Sequence, residues 1–350
     1  MSDLLATSAA DALTELWGDP AHVARVEAVM HDLCIGGRTP GLGGLVWAHL
    51  STGGKRLRAR LALFAVRALG GDVALATAWG ACCELLHNAS LIHDDIQDGD
   101  RYRRGRPTLW ARHGVPQAIN AGDLAISLGY LAIDSVPGTD ALRWQLTRTV
   151  SLAARRVVEG QAAELALLSS DTWATLDWDT YAACVEGKTA ALFSLPVEGA
   201  ALIAGRSPDE AAHLADALRP LGLLFQIQDD ILDLFGDNGR EMRGSDLAQS
   251  GKATAIVVEH LRLHPGDHEW LLRILTAPRE ETPPEAIADA IERFAAGGAL
   301  AAGWAHLDAL LDALERSPDL AREPALRALA VRLATEALKP ILHTRPGRGA

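Results

Sequence analysis

Two apolar segments of this chain each end in the pattern Asp-Asp-Ile-X-Asp, at residues 94–98 and again at residues 229–233. On a helix the first and last aspartates of such a pattern lie four residues apart and share a face. Carboxylates are rarely placed beside a core without a cation, and oxygen ligands of this kind suit magnesium. We therefore expect two helices that present Asp94 with Asp98, and Asp229 with Asp233, to a magnesium site in a shared cavity.

The rest of the chain is also patterned as helices. Alanine and leucine dominate, and β-branched residues do not cluster in alternating runs. Residues 72–98 carry apolar side chains on nearly every turn, which predicts a central buried helix. Residues 207–235 are similar, with Ser207 as the N-cap and Pro208 at the first helical position. Further helices are predicted near 114–135, 140–169, 177–186 and 188–204, so the fold class is all-α, a large helical bundle.

Composition limits the classes of protein to which the chain can belong. With 350 residues, 49% hydrophobic and 22% charged, it can bury a sizeable core. A formal net charge of -12 argues against a nucleic-acid partner. We find no run of about 18 apolar residues that would span a membrane, and residues 1–17 do not resemble a signal peptide. Four cysteines without a Cys-X-X-Cys pair indicate reduced thiols and a cytoplasmic protein.

No linker rich in proline, glycine or serine divides the chain, although its length alone would allow two domains. We expect a single domain over residues 1–350, with the motif-bearing core at about 50–255 and C-terminal helices at 256–342. Loops are predicted at residues 36–41, at residues 236–239 and at Pro283-Pro284.

Basic residues accompany the acidic motifs. Residues 53–58, Gly-Gly-Lys-Arg-Leu-Arg, open a predicted helix whose free N–H groups and cations would suit a phosphate, without the spacing of a P-loop. Arg103-Arg104 follow the first acidic motif, and guanidinium groups bind phosphate oxygens bidentately. Lys188-Thr189 are predicted to begin another helix. His87 lies two turns before Asp94 on the same side.

The ordered set of motifs resembles the all-trans isoprenyl diphosphate synthases of the polyprenyl synthetase family, most closely the geranylgeranyl and farnesyl diphosphate synthases. The matching stretches lie at residues 53–58, 93–98, 103–108, 160–161, 187–189, 225–233 and 244–246. The resemblance implies an isoprenoid synthase fold, an all-helical bundle around a deep central cavity. It also implies a homodimer.

The resemblance further implies the reaction and the roles of the site residues. Isopentenyl diphosphate would be condensed with an allylic diphosphate, with several magnesium ions per active site, for which manganese can substitute. The implied metal ligands are Asp94, Asp98, Asp229 and Asp233. The residues that would hold the allylic diphosphate are Arg103, Lys188 and Lys252. Those that would hold isopentenyl diphosphate are Gly54, Lys55, Arg58, His87 and Arg104. Thr189 and Gln226 would direct oxygen dipoles at the developing cation.

Several alternatives remain open at this point. Asp95 and Asp230 lie about 100° round the helix from their neighbours, so each is either a further metal ligand or a paired, supporting group. The family usually carries a lysine shortly after the second motif, whereas residues 239–244 here are Gly-Arg-Glu-Met-Arg-Gly. Arginine and lysine are not equivalent phosphate ligands. A terpene cyclase that acts on a preformed prenyl diphosphate therefore remains an alternative, as does a non-catalytic subunit of a heteromeric synthase.

Product length depends on the residues before the first motif. In related short-chain enzymes a bulky aromatic five residues before the motif closes the cavity, whereas Ala89, followed by Ser90, stands here. A small side chain leaves room for a longer tail. We therefore expect a product of geranylgeranyl length or longer.

Overall fold

The computed structural model describes residues 20–37, 40–236, 244, 247, 252–278 and 281–347. Within these residues the regular structure is helical apart from a short antiparallel hairpin that pairs β1 (Tyr102–Arg103) with β2 (Arg106–Pro107). The all-α prediction is therefore confirmed. The predictions for residues 1–17 and for the loop around Met242 lie outside the described residues.

The helices are given in chain order. They are α1 Pro20–Ile35, α2 Pro40–Leu50, α3 Leu57–Ala68, α4 Thr77–Gln97, α5 Leu109–His113, α6 Val115–Asp134, α7 Asp140–Ala166, α8 Ser170–Trp173, α9 Trp178–Val185, α10 Ala191–Ile203, α11 Pro208–Asp216, α12 Arg219–Phe235, α13 Ala255–Leu263, α14 His268–Thr276, α15 Pro284–Ala296, α16 Ala299–Arg316, α17 Pro318–Ala321 and α18 Pro324–Leu338. Short 3-10 turns lie at Val73–Ala76, Pro265–Asp267 and Lys339–Thr344, and a π-helical turn at Glu186–Ala190 joins α9 to α10.

The described residues group into two compact units. The first lies within residues 1–155, 192–217 and 318–329, and the second lies within residues 156–191, 218–317 and 330–350. Each unit therefore combines separate stretches of sequence. Each also contains one of the two aspartate motifs. Whether the chain is one domain, as its sequence predicts, stays a prediction.

The core of the first unit is built on α4, which packs against α1, α3 and α6. Trp79 is fully buried, and its indole N–H donates to the carbonyl of Pro196 in α10 over 3.0 Å. A buried tryptophan that also satisfies its N–H fixes the direction of its helix. The predicted central buried helix is confirmed from Thr77 to Gln97, whereas a 3-10 turn occupies Val73–Ala76. The first aspartate motif forms the C-terminal end of this helix.

The core of the second unit is built on α12, which packs against α16 and against the π-helical turn. A single helix over residues 207–235 was expected, and this prediction is wrong because α11 ends at Asp216 and α12 begins at Arg219. Pro220 lacks the N–H that would donate to the carbonyl of Asp216 in a continuous helix. The predicted N-cap at Ser207 is confirmed, since its side chain and that of Glu210 form a capping box.

The helices of the described ranges differ in length and in apolar character. No single helix there is long and apolar enough to cross a membrane, whereas the bent pair α15 and α16, which meet at 61°, passes the length and composition test together.

Candidate active site

The first aspartate motif lies in the first unit, at the C-terminal end of α4. Asp94 and Asp98 are partly exposed, so their carboxylates are accessible to a ligand. Asp95 is only 1% exposed, and its Oδ1 accepts from Nε of Arg103 over 2.6 Å. Burial raises the pKa of Asp95 to about 6, although the charge of Arg103 opposes the shift. Asp95 is thus the partner of an arginine, and its two neighbours in the motif are the accessible carboxylates.

Basic side chains of the same unit converge on His87. Burial lowers the pKa of His87 well below its ordinary value, and the nearby positive charges of Arg58, Arg104 and Arg103 lower it further. The imidazole is therefore neutral at pH 7, and its buried Nδ1 has no hydrogen-bond partner. Three of the arginines predicted to bind diphosphates are thus brought together around the predicted histidine.

The hairpin places Arg104 next to the glycine-led segment. Arg104 adopts a left-handed backbone conformation, with φ of 53°, and its Nη1 donates to the carbonyl of Gly53. Gly54 has a φ of +134°, and a Cβ added there would lie 3.0 Å from Nη1 of Arg104. The positive φ favours glycine at this position, and a Cβ there would also crowd the end of the Arg104 side chain.

The N–H groups that open α3 are not free, which corrects the expectation drawn from the sequence. The amides of Arg58 and Ala59 both donate to Oε1 of Glu84, over 2.9 and 3.1 Å. Glu84 is 3% exposed, so its carboxylate takes the place at the helix N-terminus that a phosphate would otherwise fill. A diphosphate bound here must therefore be held by side chains rather than by these two amides.

Two of those side chains differ in their surroundings. Lys55 is exposed to solvent. The guanidinium of Arg58 lies over the ring of Phe193, 4.4 Å from its centroid, and its buried Nε has no hydrogen-bond partner. Burial lowers the pKa of Arg58 to about 10, against the opposing charge of Glu84. Arg58 thus remains charged at neutral pH and keeps an unused donor.

The second aspartate motif lies in the second unit, at the end of α12. Asp229 is exposed, whereas Asp230 and Asp233 are 2% and 1% exposed. Burial raises the pKa of Asp230 to about 6, although hydrogen bonds from Ala255, Gln226 and Tyr181 oppose the shift. Asp230 is thus a hydrogen-bonded group, and Asp229 is the accessible carboxylate. The role of Asp233 as a metal ligand stays a prediction.

Thr189 and Gln226, which were predicted to act together, are in contact, because Oγ1 of Thr189 donates to Oε1 of Gln226 over 3.1 Å. Lys188 donates from Nζ to Oε2 of Glu164 over 2.6 Å, with both side chains mostly buried. Lys252 lies partly exposed before the first turn of α13. The second unit therefore brings a threonine, a glutamine and a lysine next to its aspartate motif.

Lys188 and Thr189 lie inside the π-helical turn, so the prediction that they begin a helix is wrong. The turn lies where α7 passes very close. A Cβ added to Gly160 would lie only 2.4 Å from the backbone nitrogen of Lys188 and 2.8 Å from the carbonyl oxygen of Cys184. Single π turns recur at functional sites, where they re-aim side chains.

The residues predicted to control product length lie in the wall of α4. Ala89 is 1% exposed, and the hydroxyl of Ser90 donates to the carbonyl of His87 over 2.8 Å. The methyl group of Ala89 is thus packed against neighbouring atoms, and its predicted space-lining role stays a prediction.

Three polar residues at these sites were missed by sequence reasoning: Glu84, Glu164 and Tyr181. Glu84 had a detectable signal, since it is a single acid within a long apolar segment and such an acid is expected to have a partner. Glu164 and Tyr181 had none, because their partners Lys188 and Asp230 are 24 and 49 residues away.

The chain is similar to known proteins over most of its length. The model of the polyprenyl synthetase family matches residues 41–294. A relative in Methanothermobacter thermautotrophicus, named short chain isoprenyl diphosphate synthase, is 38% identical over 291 residues, which cover 81% of this chain and 86% of the relative.

Solved structures of two further proteins resemble this one over most of its length. Geranylgeranyl pyrophosphate synthetase from Pyrococcus horikoshii matches with a TM-score of 0.77 at 28% identity, covering 91% of this chain and 98% of that one. A polyprenyl synthase from Caulobacter crescentus, complexed with calcium and isoprenyl diphosphate, matches with a TM-score of 0.76 at 26% identity, covering 93% and 97%. The resemblance read from the motifs is thus confirmed, and this chain belongs to the polyprenyl synthetase family.

Proposed function

We propose that this protein is a prenyltransferase that condenses isopentenyl diphosphate with an allylic diphosphate, giving a prenyl diphosphate one isoprene unit longer and releasing diphosphate. The observation that carries the proposal is the positive charge of Arg58, Arg103 and Arg104 around His87, whose Nδ1 is buried without a hydrogen-bond partner. A cyclase of the same fold binds a single diphosphate and has little use for such a cluster. Membership of the family and the names of the relatives support the same reaction.

The first unit supplies residues for both substrates. Arg103, already anchored on Asp95, binds the allylic diphosphate. Gly54, Lys55, Arg58, His87 and Arg104 bind isopentenyl diphosphate. The neutral imidazole of His87 donates one N–H, and the unused Nε of Arg58 donates another. The ring Nδ1 of His87 and Nε of Arg58 are buried atoms, and hydrogen bonds that they make to a diphosphate are strengthened by the low local dielectric.

The second unit carries two further proposed ligands of the allylic diphosphate and the pair of residues proposed to stabilise the cation. Lys188 and Lys252 bind phosphate oxygens. Lys188 is held by Glu164 in the absence of substrate and exchanges that partner for the diphosphate. Thr189 and Gln226 present oxygen atoms to positive charge that develops on the allylic carbon.

The carboxylates suit magnesium, with manganese as a substitute. Magnesium is usually bound by one or two carboxylates together with substrate phosphates and water. Asp94 with Asp98 in one unit, and the exposed Asp229 with Asp233 in the other, provide such pairs. In the described ranges no three acidic, histidine or cysteine side chains form a metal cluster, which fits ions that require the substrate's own oxygens. When bound, magnesium supplies Lewis-acid stabilisation of the leaving diphosphate.

The reaction balances without a side-chain base. The bond between the allylic carbon and the diphosphate oxygen breaks, and the diphosphate leaves with the electron pair. The double bond of isopentenyl diphosphate attacks the resulting cation and forms the new carbon–carbon bond. The departing diphosphate takes the proton that is then lost. The side chains hold the diphosphates, exclude water and stabilise the cation.

The proposal also covers the length of the product, the oligomeric state and the cellular location. The small size of the Ala89 side chain supports a product of geranylgeranyl length or longer. A homodimer is supported by large apolar side chains on the surface of the first unit, with Leu131 51% and Trp144 69% exposed. A cytoplasmic location is supported by four cysteines that are all free and buried.

One product analysis tests the proposed function. Purified protein is incubated with magnesium and an allylic diphosphate, with and without isopentenyl diphosphate. A longer prenyl diphosphate formed only in the presence of isopentenyl diphosphate supports the proposal. Hydrocarbon formed from a long allylic diphosphate alone would identify a cyclase instead. Turnover that requires a second kind of subunit would identify this chain as the non-catalytic subunit of a heteromeric synthase.

A further inference from the structure

Asp230 is the point at which three elements of the second unit meet. Its Oδ2 accepts from the hydroxyl of Tyr181 in α9 over 2.7 Å and from the N–H of Ala255, the first residue of α13, over 2.8 Å. Its Oδ1 accepts from Nε2 of Gln226, one turn earlier in α12, over 3.0 Å. A carboxylate that is 2% exposed and accepts three hydrogen bonds is held in one orientation.

This arrangement fixes the amide of Gln226. An ionised carboxylate only accepts hydrogen bonds, so the amide must turn its NH₂ group toward Asp230. Its Oε1 then accepts from the hydroxyl of Thr189. Since the hydroxyl proton of Thr189 is committed to Gln226, Thr189 can offer only lone pairs to any other group. The partial negative charge of these oxygen lone pairs stabilises a neighbouring cation.

The same carboxylate also anchors the segment that carries Lys252. Ala255 begins α13, and Thr254 caps that helix by accepting from the N–H of Val257 over 3.3 Å. The N–H of Thr254 donates to the carbonyl of Lys252 over 3.1 Å. The bond from Ala255 to Asp230 therefore holds the start of α13, and with it the turn from which Lys252 extends.

We infer that Tyr181 and Asp230 are positioning residues for prenyl transfer, which set the polarity of the Gln226–Thr189 pair and tie down the segment that carries Lys252. The inference rests on the proposed roles of those three residues. Tyr181 completes the arrangement, because it is 3% exposed and its hydroxyl supplies one of the two hydrogen bonds to Oδ2. Loss of that bond lets the carboxylate rotate, and the amide of Gln226 loses its fixed partner.

Removal of one hydroxyl tests the inference with little change in volume. The variants are Tyr181→Phe, Gln226→Ala and the double variant, with Tyr102→Phe as a matched control, since Tyr102 is 70% exposed and loses the same atom. We expect Tyr181→Phe to lower kcat about tenfold, because it removes a hydrogen bond to a charged group. The KM for isopentenyl diphosphate should not change, because its proposed ligands lie in the first unit. Tyr102→Phe should leave kcat unchanged.

The double variant separates positioning from a purely structural role. If Tyr181 acts through Gln226, its substitution should lower kcat less than about twofold once Gln226 is already alanine. Equal losses of kcat in both backgrounds would overturn the inference that Tyr181 sets the polarity of the Gln226–Thr189 pair. So would a Tyr181→Phe variant with a lower Tm but an unchanged kcat. A normal kcat for Gln226→Ala would instead overturn the proposed role of Gln226, so the two failures are distinguishable.

Discussion

Arg103 donates from Nε to Oδ1 of Asp95 over 2.6 Å, so the middle aspartate of the first motif is already paired with one of the arginines predicted to bind a diphosphate. Because Asp95 is buried and its Oδ1 is engaged, we propose that it orients that arginine rather than binding metal. The metal-binding role of Asp94 and Asp98 stays a prediction.

Substitution of neighbouring aspartates should therefore have different effects. We expect Asp94→Asn to raise the magnesium concentration that gives half-maximal activity by at least about tenfold, because it removes a ligand. Asp95→Asn should leave that concentration unchanged and raise the KM for the allylic diphosphate, because Arg103 loses its orienting partner. The measurement is a magnesium titration of initial rate. The distinction would be wrong if both variants changed the magnesium requirement equally.

Ala89 should set product length through its size. It lies five residues before Asp94, which is about 7.5 Å along the helix axis. Ala89→Phe should shorten the product by whole isoprene units, as measured by mass spectrometry of the dephosphorylated prenyl alcohols.

Because Ala89 is 1% exposed, the larger side chain is expected to cost about 1–3 kcal/mol of stability through overpacking. Ala89→Leu is therefore made alongside it, and thermal unfolding shows that each variant is folded. Folded variants of both kinds with the wild-type product would show that Ala89 does not line the space occupied by the tail.

The close approach of α7 to the π-helical turn should be needed for activity. In Gly160→Ala the added Cβ would lie 2.4 Å from the backbone nitrogen of Lys188, so the turn must move. We expect a loss of about 1–3 kcal/mol in the free energy of unfolding and a large fall in kcat, since Lys188 and Thr189 move with the turn. Urea unfolding and initial rates give the two quantities.

Gly44→Ala is the matched control. Gly44 lies within α2, and a Cβ added there meets nothing within 4 Å. This variant should gain about 0.5–1 kcal/mol, because alanine is the better helix former. If Gly160→Ala were as stable and as active as Gly44→Ala, the close approach would have no functional importance.

His49 should make stability depend on pH. Burial, and then the charges of Arg103, Arg104 and Arg56, lower its pKa from 6.5 to about 4. Between these values the unfolded chain binds the proton more readily than the folded protein does, so stability from this group is lost as the pH falls. The difference in free energy of unfolding between the wild type and His49→Phe should decrease by about 2 kcal/mol from pH 7 to pH 5.

The wild type must be compared with His49→Phe because Asp95 makes the free energy of unfolding depend on pH in the opposite direction. Its pKa is raised from 3.8 to about 6, so it favours the folded state as the pH falls through that range. Urea unfolding at several pH values gives the difference directly. A difference that does not change with pH would show that His49 titrates normally in the folded protein.

Much of this structure follows from local sequence patterns. The apolar segment that ends in Asp94–Asp98 predicts α4, and Ser207 with Pro208 predicts the start of α11. The break before α12 could have been inferred from Pro220, since a proline cannot donate to the preceding turn. The π-helical turn could not, because it depends on the approach of Gly160, which is remote in sequence from Lys188.

Among the polar residues of the site, some are likewise indicated by local sequence patterns and others are not. The motifs identify Asp94, Arg103, Thr189 and Gln226, because their chemistry and order are visible along the chain. They do not show that Glu84 fills the start of α3 or that Tyr181 reaches Asp230, since both contacts depend on helix packing. Burial distinguishes Asp95 from Asp94 and Asp98, and it distinguishes Asp230 and Asp233 from Asp229. An isolated sequence pattern carries no information about which carboxylate points into a core.

The most direct test of the proposed reaction is its stoichiometry. The purified protein is supplied with magnesium, an allylic diphosphate and labelled isopentenyl diphosphate, and released diphosphate is measured against label incorporated into product. The proposed mechanism predicts one diphosphate released for each isopentenyl diphosphate incorporated, and none released when isopentenyl diphosphate is omitted. Release of diphosphate from the allylic substrate alone, with no incorporated label, would contradict it.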